Sequence, residues 1–279
     1  IYISNTNWSS DVTMTQILKF SCQKGKIQAK GAADLKGSLN DSFSMNEYNS
    51  YLRVVLTDYS GETQKNALYV LDDAMQVCGN IGDLAEGEDI RSARFLGDIG
   101  YFVTFKQIDP LFSVDLSDPS NPKIIGELKI PGFSDYLHPY GKNKLLGIGM
   151  NVDEKTMSTD GVKLTMFDIS DSGNVKEEQT YVIENVYYTD VSYDYKAALV
   201  DAEKNLIGFA ADSEGGREYY TFSYDEKQGF TCTMHEEING NNMRITRGIY
   251  IEDMLYVIQG NIIEAYSLKD FKKVDDIIL

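Results

Sequence analysis

The sequence predicts an all-β protein, a β-propeller of about six four-stranded blades. The first observation behind this prediction is a recurring phrase, an apolar residue followed by Asp or Ser beside a mostly apolar strand and a turn. The Asp or Ser of the phrase is Ser21, Asp72, Asp115, Asp168, Ser223 and Ser267. A period of roughly 40 to 50 residues, with short strands inside each unit, is typical of propeller blades.

A second landmark has the same period. The strand that precedes each phrase is predicted to start at Tyr2, Tyr51, Tyr101, Leu145, Leu206 and Leu255. The 19 Tyr and 12 Phe residues agree with a β-rich composition. We therefore predict one propeller domain over residues 1–279, with blades at approximately 1–37, 38–85, 86–132, 133–186, 187–240 and 241–279.

The third repeat is the one in which all four strands can be read. The inner strand is predicted around residues 90–96, followed by a tight turn at Gly97 and Asp98. The next strands are predicted at 101–105, 111–116 and 123–130. The turn at 117–122 contains Asp, Ser, Asn and Pro, which favour turns through local hydrogen bonds and a fixed φ.

The first blade is predicted to lack its innermost strand, because Ile1 already lies in the second strand. An unpaired sheet edge is unfavourable. Two explanations stay open: the chain is a fragment of a longer polypeptide, or the last strand, at 271–279, helps to close the ring. Long polar loops are expected at 150–162 and 212–217.

The Asp-rich turns after the recurring phrase could be compared with calcium loops. The turn at 168–174 lacks the Gly and the bidentate Glu of a hand-type calcium loop. We therefore interpret these Asp residues as acceptors for backbone N–H groups in turns.

The net charge of −17 comes from 26 Lys and Arg against 43 Asp and Glu. A surface this acidic repels phosphate backbones, so nucleic acid and anionic membranes are not expected as partners. Cations, basic proteins and neutral sugars stay open as ligands. The simpler interpretation is that the charge only keeps the protein in solution.

Neither a membrane-spanning stretch nor a signal segment is apparent in the sequence. The protein is either cytosolic or has lost such a segment. Cys22, Cys78 and Cys232 cannot all pair, so at least one is free. Buried free thiols are favoured, and one disulfide is the alternative.

Several segments resemble the bacterial and archaeal secreted proteins with a C-terminal β-propeller domain. The matching segments are RFLGD at 94–98, VTFKQIDPLF at 103–112, DLSDP at 115–119, PGFSDYLHPY at 131–140, FSMNEYN at 43–49, YDYKA at 193–197 and RGIY at 247–250. The resemblance implies a protein that is exported or anchored at the cell surface and is longer at its amino end. It implies no established reaction, and the three cysteines are not part of the pattern.

Propellers commonly bind ligands at one mouth of the central channel, which the inner strands line. Counting back seven positions from the second-strand landmarks selects Ser44, Arg94, His138 and Gly248. Further channel candidates nearby are Tyr136, Tyr193, Asp194, Lys196 and Arg247. Large polar side chains inside a fold are costly unless they are solvated, paired or functional.

Each candidate also has a purely structural interpretation. Arg94 could pair with Asp194, Asp109 or Glu47, and His138 could donate to a carbonyl of a neighbouring blade. The aliphatic stem of Lys196 could cover apolar surface while its ammonium stays in water. The side chains of Tyr136, Tyr193 and Tyr195 could pack between blades. Gln107 and Asp109, before Pro110, are predicted to serve a tight connection between strands.

Catalysis is weakly supported. His235 is predicted on an outer strand, no G-x-S-x-G elbow is present, and no metal or cofactor motif is found. Channel carboxylates such as Glu47, Asp135 and Asp194 could cleave a glycoside if their spacing were suitable.

We therefore predict a non-catalytic, extracytoplasmic binding or scaffold module for a protein, glycan or cell-wall component. The alternative is a carbohydrate-active hydrolase or lyase that uses channel carboxylates and His138. A purely structural module is the third possibility.

Overall fold

The computed structural model describes residues 1–8, 12–105, 109–153, 155–156, 158–238 and 245–279. Of residues 83 and 109 it describes the backbone alone. The predicted side-chain role of Asp109 and the prediction for Gln107 lie outside this description.

The described residues form 24 β-strands in six antiparallel sheets. The strands are β1 Tyr2–Trp8, β2 Thr13–Gln23, β3 Lys26–Lys36, β4 Met45–Tyr48, β5 Tyr51–Asp58, β6 Lys65–Leu71, β7 Val77–Leu84, β8 Asp89–Leu96, β9 Ile99–Phe105, β10 Asp109–Asp115, β11 Lys123–Ile130, β12 Phe133–Pro139, β13 Lys144–Val152, β14 Thr159–Asp168, β15 Lys176–Glu184, β16 Val186–Thr189, β17 Leu199–Asp201, β18 Leu206–Ser213, β19 Gly216–Asp225, β20 Gly229–Glu237, β21 Arg247–Ile251, β22 Met254–Gln259, β23 Ile262–Ser267 and β24 Lys273–Ile278. The predicted all-β fold is confirmed.

The chain divides into two compact units. The first contains Ile1–Ile130 and Asp171–Val175. It holds the three-stranded sheet 1 (β1–β3) and the four-stranded sheets 2 (β4–β7) and 3 (β8–β11). Sheet 1 has three strands, as predicted for a blade without its innermost strand.

Middle strands supply the core of the first unit. Strand β5 is buried along almost its whole length, whereas the outer strand β11 is mostly exposed. One core cluster joins Ile17 of sheet 1 to Leu52 and Leu71 of sheet 2, and a second joins sheets 2 and 3. Burial of apolar faces between neighbouring sheets stabilises this packing.

The second unit contains Pro131–Ser170 and Lys176–Leu279. Its sheets are sheet 4 (β12–β15), sheet 5 (β16–β20) and sheet 6 (β21–β24). The first strand of sheet 5 is interrupted, because β16 and β17 both pair with β18. Two 3-10 turns, Asp190–Ser192 and Tyr195–Ala197, fill the interruption.

The two predicted long loops are shorter than expected. Strand β13 extends to Val152 and β14 starts at Thr159, so regular pairing covers much of 150–162. The segment 212–217 is a tight hairpin in which Ser213 pairs with Gly216. Gly216 has a φ of +131°, which glycine adopts without steric cost, and this allows the short connection.

The turn interpretation of the recurring phrase is confirmed where its Asp side chains accept backbone N–H groups. Asp115 Oδ1 accepts from Ser117 N, and Asp168 Oδ1 accepts from Ser170 N, each at 2.9 Å. Asp72 Oδ1 accepts from Gln76 N, also at 2.9 Å. These carboxylates therefore accept backbone N–H groups of the turns, as interpreted from the sequence.

None of the three cysteines forms a disulfide. The expectation of buried thiols is wrong for Cys22, which is exposed close to the turn between β2 and β3. Cys78 and Cys232 are half-buried. Across the described residues, no helix is both long enough and apolar enough to cross a membrane.

Candidate functional site

The candidate residues fall into both units. Ser44 and Arg94 belong to the first unit, and Tyr136, His138, Tyr193, Asp194, Lys196 and Arg247 belong to the second. Each group is therefore described by itself.

In the first unit, Arg94 stacks on an aromatic ring. Its guanidinium carbon lies 3.4 Å from the centre of the Phe43 ring, and Arg94 is buried. Ser44 closes the short 3-10 turn Ser42–Ser44, and its backbone N–H donates to Asp41 Oδ1 at 3.0 Å. Burial raises the pKa of Asp41, although Ser44 and the charge of Arg94 oppose that shift. The four side chains form one packed corner between sheets 2 and 3.

The count of seven positions does not select equivalent places in the sheets. Tyr101 pairs with Arg94, but Leu145 pairs with Pro139 and Leu255 pairs with Tyr250. Tyr51 pairs with Tyr48, so Ser44 lies before the inner strand β4. The turns between first and second strands differ in length, and a fixed count therefore shifts the register.

In the second unit, β12 carries Tyr136 and His138. The Tyr136 hydroxyl and His138 Nδ1 are 2.7 Å apart, and the two rings are 5.8 Å apart between centres. Tyr136 is buried and His138 is half-buried. This hydrogen bond lies within one strand, and a bond from His138 to a neighbouring blade's carbonyl stays a prediction.

A buried ion-pair network fixes the interruption in sheet 5. Arg217, at the start of β19, donates to Asp190 Oδ2 at 2.9 Å and to Asp212 Oδ1 at 2.8 Å. The same Asp190 oxygen accepts the backbone N–H of Thr246 at 2.8 Å. The hydrogen bond with Asp212 is the main cause that raises the pKa of Arg217, so the guanidinium stays charged. The network thereby joins the first 3-10 turn to both β19 and the start of β21.

Exposed and half-buried aromatic and charged side chains lie around this network. We call them the Tyr193 cluster, and its members are Tyr188, Tyr193, Asp194, Tyr195, Lys196 and Arg247. Tyr193, which is 78% exposed, stacks on Tyr188 with 5.7 Å between ring centres and 19° between planes. Tyr188 in turn lies 6.0 Å from the guanidinium carbon of Arg217. The cluster therefore rests on a buried support.

The charged members of the Tyr193 cluster are only partly paired. Asp194 Oδ1 accepts the backbone N–H of Lys196 at 2.9 Å and so begins the second 3-10 turn. Its other oxygen lies 3.5 Å from Arg247, whose side chain is 46% exposed. Lys196 Nζ lies 5.6 Å from the centre of the Tyr195 ring. The local charge is one negative group against two positive ones.

Four members of the Tyr193 cluster were predicted from the sequence, but the buried Arg217 and Asp190 beneath it were not. Arg217 fell in a predicted loop, and Asp190 belongs to no motif. An arginine directly after a glycine pair in a hairpin was the available signal, but its partners are distant in sequence. His235 lies on the outer strand β20, as predicted, with Nε2 at 2.8 Å from Glu218 Oε1.

Within the part of the chain that the structure describes, no group of three or more His, Cys, Asp or Glu side chains is placed to hold a metal ion. The Tyr193 cluster consists of aromatic rings, a guanidinium group, an ammonium group and one carboxylate.

Comparison with known proteins gives a family and a fold. The model of the family described as "Beta propeller domain" matches residues 1–271. An uncharacterised protein of Archaeoglobus fulgidus is 39% identical over 269 residues, which cover 96% of this chain and 39% of that protein. An uncharacterised protein of Methanocaldococcus jannaschii is 35% identical over 260 residues, 92% of this chain and 37% of that protein. The chain thus spans about two fifths of the length of these relatives.

Solved structures with a similar fold have little sequence in common with the chain. The periplasmic gluconolactonase PpgL of Pseudomonas aeruginosa gives a TM-score of 0.62 at 11% identity, over 100% of this chain and 82% of that one. For AztD of Citrobacter koseri the TM-score is 0.58 and the sequence identity is 14%, over 99% of this chain and 70% of that one. For BamB of Moraxella catarrhalis the TM-score is 0.56 and the sequence identity is 13%, over 99% of this chain and 74% of that one. At these identities the likeness shows the fold alone.

Proposed function

Because the chain belongs to the family of beta propeller domains, we propose that it is a non-catalytic binding module that takes up a protein segment on the Tyr193 cluster. The observations that carry the proposal are the stack of exposed Tyr193 on Tyr188 and the contact of the next residue, Asp194, with Arg247. Tyrosine and arginine are enriched among the residues that contribute most to protein–protein binding. We also propose that the module works outside the cytoplasm, for which the support is the resemblance to secreted proteins.

The charge of the cluster favours one kind of segment. Arg247 and Lys196 give a local excess of positive charge in a chain of net charge −17. Asp194 lies 3.5 Å from Arg247, so a single carboxylate opposes the two positive groups. A segment with an aromatic or apolar side chain next to a carboxylate would fit this arrangement.

Rigid support contributes to the proposal. The turns that carry the cluster are held by Arg217, Asp190 and Thr246, all of which are buried. A surface that is ordered before binding loses less conformational entropy when the ligand arrives. A single exposed turn without such a network would bind more weakly.

The catalytic alternative lacks a specific supporting observation. Asp194 accepts from Lys196 N and lies beside Arg247, and Glu47 is an exposed residue of β4 in the first unit. The protein of similar fold named a gluconolactonase is an enzyme, but 11% identity carries no residue over to this chain. The alternative therefore stays a prediction.

Selection from a random peptide library displayed on phage tests the proposed function. We expect selected peptides to share an aromatic residue next to Asp or Glu. Tyr193→Ala and Arg247→Ala should each weaken binding of a selected peptide about tenfold, the range expected for central contact residues.

Tyr187→Ala is the matched control, because Tyr187 is an exposed tyrosine of the same strand as Tyr188 and bonds to the Ser213 carbonyl instead. The proposal fails if no peptide is enriched, or if all three variants bind a selected peptide equally well.

A further inference from the structure

The single tryptophan of the chain is exposed in the first unit. Trp8, at the end of β1, is 64% exposed, although tryptophan is highly buried on average. Tyr59, which directly follows β5, is 48% exposed. Their ring centres are 6.3 Å apart and their planes are tilted by 33°. Two large aromatic faces are thus presented side by side.

A pocket of about 360 Å³ lies at this aromatic pair. We call it the Trp8 pocket, and its lining residues are Trp8, Ser38, Leu39, Asn40, Thr57 and Tyr59. None of these six side chains carries a charge. The volume lies at the small end of the range for ligand pockets, about 300 to 1,000 Å³.

The polar groups of the pocket differ in their availability. The Thr57 hydroxyl donates to Asn66 Oδ1 at 2.7 Å, and the Ser38 hydroxyl bonds to the Thr57 carbonyl at 3.3 Å. Exposed Asn40 donates one amide hydrogen to the Arg91 carbonyl at 2.8 Å, which holds its side chain in place. The rest of the Asn40 amide can therefore donate to and accept from a ligand.

Neighbouring charges are engaged within the protein. Asp58 lies 2.7 Å from Lys36 and accepts from the Ser60 hydroxyl at 2.6 Å. Burial, and then the charge of Asp89, raise the pKa of Tyr59, so its phenol stays neutral at physiological pH. The Trp8 pocket consequently offers aromatic faces and amide groups with no net charge of its own.

We propose that the Trp8 pocket binds a neutral sugar unit of a polysaccharide. The C–H face of a pyranose ring is apolar and packs on an indole or phenol ring, while its hydroxyl groups need an amide such as that of Asn40. The uncharged lining and the acidity of the whole chain disfavour an anionic sugar. This site is separate from the Tyr193 cluster and takes a different class of ligand.

Tryptophan fluorescence tests the proposal directly, because Trp8 is the only source of indole emission. The 279-residue chain is titrated with neutral oligosaccharides of glucose (β-1,4 and β-1,3), mannose and N-acetylglucosamine. We expect a saturable change in emission with at least one of them. Tyr59→Ala and Asn40→Ala should each weaken that binding about tenfold.

Tyr187→Ala is the matched control, because it removes an exposed aromatic ring from the second unit and should leave the sugar titration unchanged. Circular dichroism checks each variant, and Tyr59→Leu replaces Tyr59→Ala if the latter unfolds. Calorimetry with Trp8→Phe, which keeps a ring, should show weaker but measurable binding.

The proposal is overturned if none of the sugars causes a saturable change in tryptophan emission. A change that appears only with choline also overturns it, because it would assign the aromatic pair to a cation. A sugar titration that Tyr59→Ala and Asn40→Ala leave unaltered would place the sugar elsewhere and would also contradict the proposal. None of these results bears on peptide binding at the Tyr193 cluster.

Discussion

At the scale of single residues, Tyr219 shows how closely sheets 5 and 6 pack. Its side chain is fully buried, and within the described residues its hydroxyl has no hydrogen-bond partner. A Cβ atom added to Gly248 of β21 would lie only 1.8 Å from that hydroxyl. Gly248 is therefore required because the tyrosine occupies the space of a side chain. The count of seven positions that selected Gly248 as a channel residue contains no information about this packing.

Gly248→Ala is expected to destabilise the protein by about 1 to 3 kcal/mol, the usual cost of overpacking. Denaturant unfolding measures the change. Gly82→Ala is the matched control, since nothing lies within 4 Å of the Cβ it would add. Tyr219→Phe should be neutral or stabilising, because it removes a buried unpartnered hydroxyl. Equal stability of the two alanine variants would show that the sheets are less tightly packed than described.

The three thiols should react at different rates. Cys22 is exposed, whereas burial raises the pKa values of Cys78 and Cys232. A disulfide reagent such as DTNB should therefore modify Cys22 quickly and the other two at least about tenfold more slowly. Cys22→Ser should abolish the fast phase and leave the slow phases intact. A fast phase that survives in this variant would contradict the assignment.

At the scale of elements, the Asp-containing turns after the third strands of the sheets predict that the stability of the fold depends on pH. The hydrogen bonds from Ser170 hold the pKa of Asp168 below its usual range. A carboxyl group whose pKa is lower in the folded state contributes stability above its unfolded pKa of about 3.9. That contribution is lost as the pH falls through the folded pKa.

Asp168→Asn is therefore expected to reduce stability by about 1 kcal/mol at neutral pH, with a difference that shrinks as the pH falls through the folded pKa of Asp168. Thermal unfolding at a series of pH values from neutral to acid measures this difference in stability. Ser267→Ala is the matched control, because Ser267 accepts the Lys269 N–H at the same place in sheet 6 but has no charge to lose. A difference for Asp168→Asn that does not depend on pH would contradict the predicted linkage.

The elements also explain why the site was predicted only in part. Local signals identified Tyr193, Asp194, Lys196 and Arg247, which the structure brings to one cluster through the interruption of the first strand of sheet 5. Their support was missed because Arg217 and Asp190 are 27 positions apart. Pairing over such distances depends on tertiary packing, and no local pattern encodes it. Trp8 and Tyr59 were missed for the same reason.

At the scale of the whole molecule, the propeller fold predicted from the period is confirmed. The recurring phrase and the second-strand starts predicted the fold because each repeat must bury the same faces against its neighbours. This requirement constrains the sequence in every repeat. Strand starts such as Tyr51 and Leu206 agree with the structure to the residue. Localisation and the extent of the single domain stay predictions, because composition does not determine them.

The net charge of −17 predicts a response to salt. Like charges on one molecule repel each other, and about 150 mM NaCl screens them over about 8 Å. The melting temperature is therefore expected to rise by a few degrees between about 10 mM and 150 mM NaCl at neutral pH. Sucrose at matched osmolality is the control for excluded solutes. A melting temperature that falls with salt would indicate that attractive pairs, such as Lys144 with Glu178, outweigh the repulsion.

The interruption between β16 and β17 has a consequence for engineering. Strand β18 pairs with both pieces, so the sheet is continuous on either side of residues 190–198. Foreign recognition sequences could be transplanted into the exposed part of this gap, provided that Asp190 is retained as the anchor for Arg217 and that the buried Val191 and Ala197 are kept.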